Sequence, residues 1–204
     1  MGVVSKFNGK PTESHFTAVK RILRYLKGTV NVALKYQKCQ TGMFIGYSDA
    51  DWANDLDDRH SITGNLFLMS GAAVSWLSKK QPVVALSTSE AEYIALSTAT
   101  QEVIWIRRLL CDLGISLDVP TTLMEDNQSA IAIAYNPVQH ARTKHIDIRY
   151  HHFVREAIQK RLIELKYCSS CEMVADILTK ALSKEQFKRL REAMGMDIMD
   201  ISAK

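Results

Sequence analysis

Apolar residues at 16, 19, 23 and 26 recur at helical spacing, with Lys20, Arg21, Arg24 and Lys27 on the other faces. This spacing predicts an amphipathic helix over 14–27, stopped by Lys27-Gly28-Thr29. Strand-like runs follow over 30–36 and 43–49, separated by a turn over 38–42. A loop rich in Asp and Asn spans 54–60, and 62–69 and 72–77 form a hairpin around Ser70-Gly71. Ser87-Thr88-Ser89 opens a long helix to about Cys111, with Tyr93, Leu96, Thr100, Val103 and Leu110 as its buried stripe and Leu113-Gly114 as its end. A short strand over 121–125 leads into a helix over 127–135 that Asn136-Pro137 stops. A helix over 146–161, a strand over 162–167 and helices over 174–182 and 184–194 complete the chain. An antiparallel meander followed by strands joined through helices implies an α/β fold, a mixed sheet covered by helices.

Composition narrows the classes. The 204 residues suffice for one sizeable core, and 47% apolar with 24% charged residues is ordinary globular usage, which excludes disordered and collagen-like chains. No apolar run approaches the ~20 residues of a membrane helix. The first ten residues lack the apolar stretch of a signal peptide, and Lys6 stands where a myristoylation signal needs Ser or Thr. These absences point to an intracellular protein, cytoplasmic or nuclear. Cys168 and Cys171 make a single Cys-x-x-Cys pair with no second pair and no nearby His, so reduced thiols are expected rather than zinc.

The net charge of +4 hides an uneven distribution. Residues 1–45 hold eight basic residues and one acid, whereas 46–204 hold 18 basic and 21 acidic residues. A basic N-terminal piece precedes a mildly acidic body. His140 to Arg161 forms a second basic stretch, with Arg142, Lys144, Arg149, Arg155, Lys160 and Arg161 against Asp147 and Glu156. Arg142, Lys144 and His145 are candidate phosphate contacts. The basic helix reads either as a phosphate track or as a solvated face. Trp52, Trp76 and Trp105 are assigned to the core.

Four acids stand at element ends. Asp49 closes an apolar strand, Asp126 follows another, and Glu92 and Asp176 lie near helix starts. Ligands gather at the carboxyl ends of parallel strands, so two such strands ending in Asp would bring two carboxylates together. Clustered carboxylates repel unless a cation neutralises them. Hard Mg²⁺ prefers oxygen ligands, and two ions about 3.5–4 Å apart can clamp an in-line phosphoryl displacement. Each acid also has a plain structural reading: Asp126 as a helix cap, Glu92 and Asp176 as solvated helix residues. Asp51 shares a strand face with Asp49, so periodicity does not choose between them.

Seven runs carry a closer likeness: His15 to Thr29 (HFTAVKRILRYLKGT), Gly46 to Ala53 (GYSDADWA), Ser75 to Gln81 (SWLSKKQ), Ser87 to Ala95 (STSEAEYIA), Asp126 to Ala130 (DNQSA), Asn136 to Ile146 (NPVQHARTKHI) and Ala175 to Leu182 (ADILTKAL). In this order, over nearly the whole chain, they resemble the RNase H domain of copia-type retrotransposon polyproteins. The resemblance implies an RNase H-like fold, a five-stranded mixed sheet with its first three strands antiparallel. It implies cleavage of the RNA strand of RNA–DNA hybrids with two Mg²⁺ ions, Mn²⁺ being an alternative. It maps the catalytic, metal-holding acids onto Asp49, Glu92, Asp126 and Asp176, selecting Asp49 over Asp51 and Glu92 over Glu90. Gln128 matches a position touching the minor groove of the hybrid, Thr88 and Ser89 fall where cellular relatives carry groove-contacting Asn residues, and Ser87 is grouped with them as a nucleic-acid-binding candidate. Many RNases H carry a His loop before the last catalytic Asp, whereas residues 168–175 contain no His.

The same resemblance divides the chain into a basic connection segment over 1–42, akin to the end of a reverse transcriptase domain, an RNase H-like domain over 43–195 and a tail over 196–204. The polymerase signature, an aromatic followed by any residue and two Asp, has only a partial counterpart in Asp55-Leu56-Asp57-Asp58, which lacks the aromatic and reads as a solvated loop. The implied partners are an RNA–DNA hybrid and a reverse transcriptase domain in a longer polyprotein. The leading expectation is a Mg²⁺-dependent endoribonuclease. The alternative is a non-catalytic or host-repurposed remnant that binds nucleic acid or a protein.

Overall fold

A computed structural model of the chain describes residues 2–38, 44–55, 57–136 and 148–199. Its centre is a five-stranded sheet in the order β4-β3-β2-β5-β6. Strands β2 (Phe44–Asp51), β3 (Ile62–Met69) and β4 (Ala72–Lys80) are antiparallel neighbours, and β5 (Thr121–Glu125) and β6 (Ile163–Tyr167) continue the sheet parallel to β2. This is the mixed sheet that the resemblance implied. The meander is cheap to close because Ser70 and Gly71, both with positive φ, turn β3 directly into β4. The parallel strands need crossovers, which the helices supply.

Helix α3 (Thr88–Asp112) crosses one face of the sheet. Its predicted stripe of Tyr93, Leu96, Thr100, Val103 and Leu110 is buried, against Phe44 and Phe67 of the meander and Leu123 of β5. Helices α4 (Gln128–Tyr135) and α5 (Ile148–Gln159) add Ile133, Ala134, Val154 and Ala157 to the same core. On the other face a smaller cluster joins Leu66 and Ala73 to Val174 and Met194, with Tyr47, Ile177 and Leu178 packed against it. It seats the one-turn helix α6 (Asp176–Thr179) and the C-terminal end of α7 (Lys184–Ala193), where Met194 is the cap. The predicted helix over 174–182 is shortened because Lys180 takes an extended backbone (φ −118°, ψ 153°) and leads out to the next helix.

The N-terminal segment forms a short helix α1 (Gly2–Ser5) and the expected amphipathic helix α2 (Glu13–Gly28). No residue of α2 is buried, and Phe16, Val19, Leu23 and Leu26 face outward along it. The segment is held at a few points: Phe7 stacks on His15, Lys6 pairs with Asp55, and Tyr25 meets the edge of Phe187. Strand β1 (Val32–Leu34) pairs antiparallel with β7 (Met196–Ile198), so residues 196–198 of the expected tail form a strand with residues of the basic segment. The Asp-rich loop is also paired, since Lys80 bridges Asp55 and Asp58. The tryptophans depart from expectation: Trp52, Trp76 and Trp105 are 44%, 56% and 56% exposed. Trp52 still donates its indole N–H to Ala85 O at 3.0 Å. Among the described residues no helix is long and apolar enough to cross a membrane.

Candidate active site

Parallel pairing sets the position of the first two acids. Tyr47 lies opposite Met124 in the β2–β5 ladder, and the same offset two residues further brings Asp49 level with Asp126. Glu92 reaches them from the second turn of α3. One carboxylate oxygen from each of Asp49, Glu92 and Asp126 lies within 4.8 Å of the others.

Neighbouring acids are committed elsewhere. Ser87 caps α3 by accepting from Glu90 N, and Glu90 returns its own carboxylate to Leu86 N at 2.7 Å. This reciprocal cap occupies Glu90 and leaves Glu92 facing the cluster. The cap of α4 is Asn127, whose side chain accepts from Ala130 N at 3.0 Å, so Asp126 is not the capping group. Asp51 shares the Asp49 face of β2 but lies outside the three-acid group and pairs with Asn54.

Asp176 also lies outside that group. It approaches Asp49 through Lys180, whose Nζ donates to Asp49 Oδ1 at 2.9 Å and to Asp176 Oδ1 at 2.8 Å. The Thr179 hydroxyl donates to Asp49 Oδ2. Gly64 allows this approach. A Cβ there would lie 2.5 Å from Thr179 Cγ2 and 3.1 Å from Ala175 O, so only glycine lets α6 sit this close to the sheet.

A fifth acid, Glu125, is fully buried behind Asp126. Its Oε1 accepts from Asn127 N at 3.2 Å, and its Oε2 has no partner. Period-two alternation with Thr121 and Leu123 puts Glu125 on the buried face, the one signal in the sequence that marks it. Lys180 and Thr179 sit inside the run from Ala175 to Leu182, and nothing local distinguishes them from its other residues.

Electrostatics follow from crowding. Burial, then Glu125, Asp49 and Asp126, push the Glu92 carboxyl far above the usual range. Burial raises Glu125 likewise, against the Asn127 N–H and with Asp126 and Asp49 adding to it. Asp176 is raised by burial and by Asp49, with Lys180 opposing. Burial acts against the Lys180 charge, but Asp49 and Asp176 outweigh it and hold the ammonium above its ordinary range. A site that raises its own carboxylates this way favours an added cation.

The chemistry of the donor set fits a hard divalent ion. Every donor is an oxygen, three acids converge, and Glu92 Oε2 is buried with no hydrogen-bond partner. Asp126 is further held by Ser170, which donates to Oδ2 at 2.7 Å from the loop that lacks His.

Of the groove candidates, Ser87 and Thr88 are exposed at the start of α3 and Gln128 is exposed at the start of α4. Ser89 is half-buried and donates to Asn127 Oδ1 at 3.5 Å. Arg142, Lys144 and His145 lie outside the described residues.

No family model matches the chain. It is 45% identical over 196 residues to the retrovirus-related Pol polyprotein from transposon TNT 1-94 of Nicotiana tabacum, covering 96% of this chain and 14% of that one. It is 42% identical over 193 residues to the Pol polyprotein from transposon RE1 of Arabidopsis thaliana, covering 95% and 13%. The chain thus spans about one seventh of the length of these relatives. Its structure is similar to that of LC11-RNase H1 in complex with RNA/DNA hybrid, at 15% identity and a TM-score of 0.48, over 67% of this chain and 93% of that one. Over about 95% of its length, at 39–45% identity, this chain is homologous to a segment of the retrovirus-related Pol polyproteins of copia-type transposons.

Proposed function

We propose that this chain is the ribonuclease H part of such a polyprotein and cleaves the RNA strand of RNA–DNA hybrids with Mg²⁺. The observation that carries the reading is the convergence of one oxygen each from Asp49, Glu92 and Asp126 within 4.8 Å; separately, Glu92 Oε2 is buried with no hydrogen-bond partner. Asp49, Glu92 and Asp126 would hold one ion, and Asp176 with Asp49 would frame a second. Such ions supply Lewis acidity and a water nucleophile at neutral pH. The protein contributes position. Ser170 orients Asp126, Thr179 orients Asp49, and the Asn127 cap fixes the turn that leads from Asp126 into α4.

The hybrid would lie across the starts of α3 and α4, where Ser87, Thr88 and Gln128 are exposed, with Ser89 behind them. Arg142, Lys144 and His145 are assigned to phosphate contact by sequence alone. The remainder of the polyprotein, including a reverse transcriptase, is the natural source of hybrid. The basic segment over 1–42 is assigned to the connection with it, residues 43–195 to the nuclease and 196–204 to a tail.

The test is cleavage of a labelled RNA–DNA hybrid in Mg²⁺ by the unmodified protein, Asp49→Asn and Asp126→Asn. Losing an ion-holding carboxylate should cost more than about 100-fold in rate. Hybrid binding without cleavage by the unmodified protein would assign it instead to the non-catalytic, binding class. Equal cleavage by the variants would place the chemistry elsewhere.

A further inference from the structure

Asp49 serves two different cation positions. Its carboxylate converges with those of Glu92 and Asp126. It also meets Lys180, whose Nζ lies 2.9 Å from Asp49 Oδ1 and 2.8 Å from Asp176 Oδ1. Lys180 is the only cation paired with any of these four acids among the described residues.

The two occupants differ in kind. The carboxylates are rigidly placed, with the Asp49 side chain fully buried and that of Asp176 6% exposed, whereas the Lys180 side chain is 34% exposed. An ammonium on a four-carbon stem carries one charge and can swing outward. A divalent ion brings two charges and needs oxygen ligands on several sides. Both cannot lie between Asp49 and Asp176 at once.

We propose that Lys180 is a positioning residue that acts as the resident cation of the Asp49–Asp176 position, so that a second divalent ion enters only by displacing its ammonium. The inference rests on the metal-binding reading above. Its consequence is unequal loading. Lys180 contacts one of the three acids that would hold the first ion but both of the acids that would frame the second, so the ion beside Asp176 binds the more weakly. With no divalent ion present, the same ammonium keeps Asp49 and Asp176 together and α6 seated on the sheet.

Titration calorimetry with Mn²⁺ tests this on the unmodified protein, Lys180→Met and Lys180→Arg. The Met variant removes the competitor and should bind the weaker ion about tenfold or more tightly, with a lower melting temperature in EDTA, and the Arg variant should restore weak binding. Unchanged or weaker ion binding by Lys180→Met overturns the proposal while leaving the metal site standing. No Mn²⁺ binding by any of the three proteins overturns the metal-binding reading itself and this proposal with it. A second measurement needs no variant. Reductive methylation of the unmodified protein, read by peptide mass, should label Lys180 slowly in EDTA and several-fold faster in Mg²⁺. An equal rate in both overturns the proposal.

Discussion

Gly64 lies directly opposite Asp49 in the β2–β3 ladder, and the missing side chain is what lets Thr179 reach the Asp49 carboxylate. The relationship joins a backbone requirement on one strand to the chemistry of its neighbour. Gly64→Ala should force α6 off the sheet and cost about 1–3 kcal/mol of stability by overpacking. Hybrid cleavage should fall further than the stability loss explains, because Asp176 and Lys180 move with α6. Denaturant unfolding combined with a cleavage assay checks this. Full activity in a destabilised protein would show that α6 placement does not limit the reaction.

Glu125 makes stability depend on pH. Its folded pKa is raised above the unfolded value of about 4.3, so the folded protein retains a proton that the unfolded chain releases. That contribution is complete below about pH 4 and is lost as pH rises toward the folded pKa. Glu92 acts in the same direction. In EDTA the melting temperature should therefore fall between pH 5 and pH 8, and Mg²⁺ should flatten the fall by holding the charged forms. Glu125→Gln should raise the melting temperature at pH 8 and leave it little changed near pH 4. An equal change at both pH values would remove Glu125 as the source.

The Ser170 hydroxyl donates to Asp126 Oδ2 at 2.7 Å from the stretch that contains no His. Ser170→Ala should lower hybrid cleavage about 10–100-fold, as loss of a hydrogen bond to an ion-holding ligand does, with little change in melting temperature. Steady-state kinetics at saturating hybrid would read the effect. A rate within twofold of the unmodified protein would leave Ser170 without a part in the reaction.

Lys20, Arg21, Arg24 and Lys27 are all exposed on α2. If they follow a phosphate track, alanine at all four should weaken hybrid binding and lower the salt slope by about 0.9 for each phosphate no longer neutralised. A slope that does not move makes the helix a solvated face with an uncovered apolar stripe.

Much of the fold was legible in the residues. The long α3 carries its buried stripe at helical spacing, and its cap is written in Ser87 and Glu90. The meander shows as strand-length apolar runs around Ser70-Gly71. The exposed tryptophans were not legible, because an aromatic on a sheet or helix face is apolar whether or not anything covers it. The β1–β7 pair was not legible either. It joins two three-residue strands, Val32–Leu34 and Met196–Ile198, from opposite ends of the chain, and neither run is long enough to declare a partner.

For the site, the sequence alone determined which acids were available, that oxygen ligands for a hard cation were in supply, and, through its likeness to one family, which four to consider. Only the tertiary structure decided how they are used. Parallel pairing brings Asp49 level with Asp126, reciprocal capping occupies Glu90 and leaves Glu92 free, and the Asn127 cap releases Asp126. It also decided what no local pattern carries: that the buried Glu125 adds its charge to the cluster, and that a lysine stands between Asp49 and Asp176. The physical reason is range. Caps, turns and periodicity act over a few residues, whereas these interactions close over 131 residues between Asp49 and Lys180, and only the assembled sheet brings such groups together.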